Sequence, residues 1–239
     1  MKRVLIDIHM KKQPNDVTCG PTCLHAVYNF YNDQITLDEV MSGVDSLEGG
    51  GTLATTLGIH ALKRGYDVSL YTYNLIVFDP TWFLPTSSST PINLIDKIRE
   101  QKKYKPDHKI QVASDYYMKF LDLGGKILYQ DLTKELLQSY LERKIPILTG
   151  LSATYLYQCP REMPNTDFDD ILGVPSGHFV ILTGYDFQQN SVLVADPWEP
   201  VSKDIFGSKY YWVKMERAIS SILLGIVTYD GNFLIIQKK

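Results

Sequence analysis

The chain is poor in several features that would narrow its function at once. It has only three cysteines in 239 residues. Their odd number, without metal-like spacing, fits reduced thiols rather than a disulfide framework and makes a metal-binding reading weak, so no metal or other cofactor is expected. It lacks an excess of positive charge. With 24 Lys and Arg against 27 Asp and Glu, the net charge is −3, which argues against a nucleic-acid partner or a membrane-binding surface. The one basic run, Lys102-Lys103-Tyr104-Lys105, reads as the solvated end of a helix. No apolar stretch is long enough to span a bilayer. The N-terminus lacks the apolar region of a signal peptide, because Asp7 and His9 interrupt it, and a cytoplasmic protein is expected. Internal repeats and strongly biased tracts are also missing. What remains is an ordinary globular composition, 44% hydrophobic and 21% charged, at a length that one domain with a substantial core can use.

Residues Val4–Ile8 alternate and suggest a short strand. After the turn-like Gln13-Pro14-Asn15-Asp16, a helix is expected over Cys19–Tyr31. Gly20 and Pro21 stand at its start, and Leu24, Val27, Tyr28 and Tyr31 share a face. Further helices are expected from the Thr36 cap, from about Thr52 to Arg64, over Ile92–Gln101, Ala113–Leu123 and Lys134–Glu142, with Thr86–Pro91 as a loop. Strands are expected at Asp67–Tyr73, Ile145–Thr149, His178–Gly184, Val192–Asp196, Tyr210–Val213, Gly225–Tyr229 and Phe233–Gln237. An Asp230-Gly231 hairpin turn would join the last two. Helices first and an antiparallel sheet later give an α+β fold. The pattern reads as a single domain over residues 1–239, with a helical insertion at about 75–125 and a cleft between the two halves.

Cys19 falls at a helix N-terminus, where unpaired backbone N–H groups and the helix dipole favour a thiolate, the nucleophilic form. Free cysteines are usually buried structural residues, and Cys23, one turn further on, reads that way. Cys159, in the long loop Tyr155–Gly177, has no helix end to activate it. The setting Gln13…Cys19-Gly20-Pro21-Thr22-Cys23 is different. It resembles the active-site segment of papain-like cysteine peptidases. The stretch QPNDVTCGPTCLHAVYNFY is most similar to the branch containing the bacteriocin-processing, double-glycine leader peptidases and their stand-alone bacterial relatives. GHFVILTGYD…VLVADPW, with His178 and Asp196, is the second half of the likeness. The resemblance implies a papain-like fold and four site residues: Gln13 for the oxyanion hole, Cys19 as nucleophile, then His178 and Asp196. CGPTC in place of papain's CGSCW-type run, and Asp196 in place of its asparagine, both agree with the leader-peptidase branch.

Elimination among five histidines reaches the same base. His25 lies six residues along the helix from Cys19, too far to touch its sulfur. His60 reads as a core or boundary residue, His108 as solvated, and His9 remains a distant second choice. His178 opens a strand directly after Ser176-Gly177. If the next two strands form a hairpin with Gly184 opposite Asn190, His178 falls opposite Asp196, with Cβ atoms about 5 Å apart. A carboxylate there would orient the imidazole and support its charge. The Gln13 amide and the Cys19 backbone N–H suit an oxyanion, and Trp198 is placed to shield the pair from water. The expected partner is a peptide or protein substrate, cleaved at a peptide or isopeptide bond through an acyl-thioester. An amidase, deamidase or acyltransferase would use the same residues, and a non-catalytic peptide-binding module is the other alternative. The acidic half of the Tyr155–Gly177 loop borders the expected cleft.

Overall fold

The computed structural model describes residues 3–48, 50–84, 92–165, 167–228 and 231–239. In chain order the elements are β1 (Arg3–Leu5), α1 (Cys19–Phe30), α2 (Leu37–Gly43), α3 (Ala54–Lys63) and β2 (Tyr66–Thr72), then a 3₁₀ turn, Pro80–Phe83. They continue with α4 (Leu94–Lys102), α5 (His108–Asp122), β3 (Lys126–Leu128), α6 (Lys134–Glu142), β4 (Ile147–Ser152), α7 (Ala153–Tyr157), β5 (Arg161–Glu162) and β6 (Phe168–Asp169). The last are β7 (Gly177–Asp186), β8 (Ser191–Ala195), α8 (Glu199–Phe206), β9 (Tyr210–Lys214), α9 (Met215–Leu224) and β10 (Asn232–Lys238).

One large sheet in the order β3-β2-β10-β4-β7-β8-β9 is antiparallel except for β2 and β3, and β1 pairs with β7. Every residue of β4 is buried, as is β7 from His178 on. Successive side chains of a strand face opposite ways, so helices must cover both faces. α1 and α3 pack on β7, β2 and β10, while α6 and α9 pack on β4 and β7. α1 is buried without interruption over Gly20–Tyr28, a central helix rather than one with a single apolar face. Each fully buried side chain such as Leu24 contributes about 1.5–3 kcal/mol. A β-carbon on Gly20 would stand 2.4 Å from Thr52 Oγ1 and 3.3 Å from Phe179 Cδ2, so this glycine sets how closely α1 approaches α3 and β7. Of Lys102–Lys105, Lys102 ends α4 and Lys103 is its C-cap, paired to Glu100 at 2.5 Å, with Tyr104 and Lys105 just beyond.

The α+β expectation agrees with this architecture, and three local expectations do not. Gly225–Thr228 is a 3₁₀ turn that continues α9, not a strand. β10 already pairs with β2 and β4, so neither edge is free for a hairpin partner. The buried positions Met215, Ala218 and Ile222 have helical spacing, which identifies α9. Asp230 of the expected turn, and the Thr86–Pro91 loop, lie outside the described residues. α5 begins at His108, five residues earlier than expected, because Asp107 caps it through Ile110 N at 3.1 Å. The Tyr155–Gly177 loop is partly ordered into α7 and the β5–β6 pair. Among the described residues, no helix is long and apolar enough to cross a membrane.

Candidate active site

Cys19 is the first residue of α1 and is partly exposed. Thr18 precedes the helix without making a side-chain cap; its hydroxyl donates instead to the Asn15 carbonyl at 3.0 Å. The first turn thus keeps its N–H groups for another acceptor. One turn along, the buried Cys23 thiol donates to the carbonyl of Phe179 at 3.3 Å. That bond ties the helix bearing Cys19 to the strand position next to His178.

His178 is buried at the start of β7, paired with Leu151 of β4. Its Nε2 meets Asp196 Oδ1 at 2.9 Å. Nδ1 is left for the Cys19 sulfur, which acts on the ring as a hydrogen-bond partner and as a charge. Burial alone would favour the neutral imidazole. The charge and hydrogen bond of Asp196, helped by Cys19, overcome it and raise the His178 pKa to about 10.

The route by which His178 reaches Asp196 differs from the expected one. The hairpin pairs Asp186 with Ser191 and Gly184 with Leu193, and a bulge at Thr183 shifts the register so that Ile181 faces Ala195. His178 is therefore not opposite Asp196. Continuing the register one step puts Asp196 level with Val180, two residues from His178. Such diagonal neighbours lie on one face, within reach of long side chains. The shorter turn and the bulge offset one another, so the parity that matters survives.

Asp196 is completely buried and accepts four hydrogen bonds. His178 and the Trp198 backbone N–H (2.8 Å) reach Oδ1; the hydroxyls of Tyr157 (2.7 Å) and Tyr211 (2.6 Å) reach Oδ2. Burial and the carboxylate push both tyrosines well above the usual phenol range, which keeps them protonated as donors. Sequence reasoning missed both. The available signal was general: a buried tyrosine hydroxyl needs a partner, and Tyr211 sits at an inward position of an alternating strand. The Trp198 ring stands 5.6 Å from the His178 ring and 5.9 Å from that of Tyr157, so it covers the pair as expected.

Gln13 is buried, and its backbone N–H donates to the Pro197 carbonyl at 2.9 Å, next to Asp196. Its amide gives one N–H to Asn15 O at 2.9 Å and has a second to offer. The other histidines are elsewhere. His25 is buried against Asn29, His60 bonds Tyr28 at 2.8 Å, and His108 is exposed. Among the described residues, no three His, Cys, Asp or Glu side chains form a metal-binding group. A cavity of about 590 Å³ lies beyond Thr52, lined by Leu47, Leu53, Val112 and Tyr116 with His108 at its rim. Thr52 rests against Gly20, and Gly50 against Val17, so this cavity borders the start of α1.

A buried imidazole–carboxylate pair at a strand end, against a cysteine at a helix N-terminus, agrees with what the family shows: the molecule is a papain-like cysteine peptidase, a hydrolase. Residues 5–219 match the model of the Peptidase_C39 like family, and the chain belongs to that family. Among the solved structures that resemble the chain at low identity, two can be named. One is a double glycine motif protease from an AMS/PCAT transporter in complex with the leader peptide, with 13% identity, 99% of this chain and 95% of that chain covered, and a TM-score of 0.46. The other is xylellain, a cysteine protease from Xylella fastidiosa, with 14% identity, 99% and 86% covered, and a TM-score of 0.45. No curated protein matches the chain.

Proposed function

We propose that the protein, as a single domain, hydrolyses amide bonds of peptide or protein substrates with Cys19 as nucleophile, His178 as acid–base and Asp196 as its orienter. The observation that carries this reading is the buried 2.9 Å contact of His178 Nε2 with Asp196, which leaves Nδ1 for Cys19. The Cys19 thiolate attacks the carbonyl carbon and a C–S bond forms as the carbonyl electrons move to oxygen. A Gln13 N–H and the Cys19 backbone N–H stabilise that oxygen. Collapse breaks the C–N bond, and the His178 imidazolium gives its proton to the departing amine. Water, deprotonated by the now neutral His178, adds to the thioester and releases the acid, and the thiolate returns. Asp196 holds the ring by Nε2 throughout and supports its charge.

Cleavage of a peptide library by the wild-type protein, with Cys19→Ala as control, tests the reading. Cleavage by wild type alone supports it, and equal activity of the two ends it. Gln13→Ala should lower turnover by about 3 kcal/mol in the barrier while Cys19 alkylation by iodoacetamide stays unchanged, since an oxyanion donor acts on the transition state and not on the thiolate. An unaltered turnover number would reject that role.

A further inference from the structure

One wall of the cavity beside α1 belongs to α5. Ala113, Ser114, Tyr117 and Phe120 of that helix are buried. Phe120 fixes it to α3, since a β-carbon on Gly58 would stand 2.6 Å from its ring. Val112 and Tyr116, four residues apart and so on one face, are only half-buried. With Leu47 and Leu53 they line the cavity of about 590 Å³. Its charged lining residues, Glu48 and Lys109, are exposed, as is His108. The polar groups therefore stand at the rim and the apolar ones inside.

Another wall reaches the nucleophile. Gly50 and Gly51 have φ of +94° and +80°, the left-handed region that glycine enters without strain. The Leu47 N–H donates to Gly51 O at 3.1 Å and the Gly50 N–H to Leu47 O at 3.0 Å, which closes the turn. A β-carbon on Gly50 would meet Val17 Cγ1 at 2.8 Å, and one on Gly20 would meet Thr52 Oγ1 at 2.4 Å. Val17 and Gly20 flank Cys19, so this wall and the sulfur are neighbours. A substrate bonded to Cys19, at about 3.3–3.6 Å of extended chain per residue, passes the cavity within its first few residues. Among the described residues, nothing lies within 4 Å of where a Gly51 β-carbon would stand, so the approach is open there. The volume is that of a ligand pocket, about 300–1,000 Å³, and far more than a Gly or Ala side chain fills.

We propose that this cavity is a subsite for one aromatic side chain of the substrate, within about three residues of the scissile bond, and that Val112 sets its selectivity. Leu47, Leu53 and Val112 would bury the ring, with Tyr116 as its aromatic neighbour. The inference rests on the peptidase reading above. The test uses fluorogenic peptides built on the best-cleaved library member, with Gly, Leu, Phe or Trp placed in turn at each of the three positions on either side of the scissile bond. At one position wild type is expected to favour Phe over Gly by at least about tenfold in kcat/KM, mostly through KM. Val112→Trp, which fills the cavity from α5, should reverse that order. Val112→Ala, which deepens it, should move the optimum from Phe toward Trp. The rate of Cys19 alkylation should stay the same in both. Fluorescence anisotropy of the same peptides on the Cys19→Ala protein reads selectivity without turnover, using library members chosen by binding if none is cleaved. Phe-selective binding that follows the Val112 variants, without cleavage by wild type, would end the peptidase reading and leave the subsite standing. Equal treatment of Gly and Phe at every position, an order that neither Val112 variant alters, or no binding by any peptide would overturn it.

Discussion

Four donors from different parts of the second half converge on the Asp196 carboxylate, and much of the site's behaviour follows from them. Asp196→Asn keeps an acceptor for His178 but loses the charge. Turnover should fall, yet by at least about tenfold less than in Cys19→Ala or His178→Ala, because removing an orienter leaves partial catalysis. Steady-state rates of the three variants decide this. Tyr211→Phe removes one buried bond to a charged group and should cost about 1.5–3 kcal/mol in urea unfolding. The cysteines should separate by pH. His178, raised to about 10, stays cationic beside the Cys19 sulfur through the neutral range. Burial, with the charges of Cys19 and Asp196, pushes the Cys23 thiol up, and burial pushes up Cys159. A raised thiol is neutral, and so slow to alkylate, at a given pH. Brief iodoacetamide treatment should therefore label Cys23 and Cys159 later than Cys19, and His178→Ala should slow the labelling of Cys19. Mass spectrometry across a pH series checks it; earlier labelling of Cys23 or Cys159 would break the proposed pair. The places of Cys19 at a helix start and His178 at a strand start were legible because such ends leave traces in sequence, whereas the expected His178–Asp196 pairing rested on a register that the hairpin does not have. Tyr157 and Tyr211 were not legible, since nothing local distinguishes a tyrosine that bonds a carboxylate from one that packs.

At the scale of elements, the approach of α1 to its neighbours is set at Gly20. Gly20→Ala places a methyl against Thr52 Oγ1 and tightens the contacts to Leu57 and Phe179. A loss of about 1–3 kcal/mol is expected. Thr52→Ala in the same chain should recover part of it, which a double-mutant cycle in urea measures. Full additivity of the two changes would show that the clash is not the cause. The β7–β8 hairpin shows where sequence reasoning stops. Strand positions followed from apolar alternation, but the turn length and the Thr183 bulge depend on how β1 and β9 pair with the two strands. The ordered β5–β6 pair was equally hidden, being two residues long on each side.

For the whole molecule, acid should weaken the fold before it alters the secondary-structure pattern. Hydrogen bonds from Arg64 (2.5 and 3.0 Å), then from Tyr66 (3.1 Å), hold the Asp33 carboxyl below its usual range. A depressed carboxylate contributes stability above its unfolded value of about 3.9 and loses it as the pH falls below. Asp33→Asn should therefore flatten the acid limb of a urea-midpoint profile below about pH 4 and lower the plateau at neutral pH; an unchanged limb would assign acid sensitivity elsewhere. The mixed helix-and-sheet class was legible from composition and periodicity, but helices and strands interleave along the whole chain and are not segregated as expected. The sheet order was not legible, because β10, last in the chain, fills the gap between β2 and β4. The four-donor carboxylate has a further consequence during synthesis. On the proposed mechanism, a ribosome exposes Cys19 long before His178, and the clamp on Asp196 closes only after Tyr211 has emerged. The nascent chain thus carries an unarmed thiol, and proteolytic competence arrives only when the segment from Cys19 through Tyr211 is available to fold.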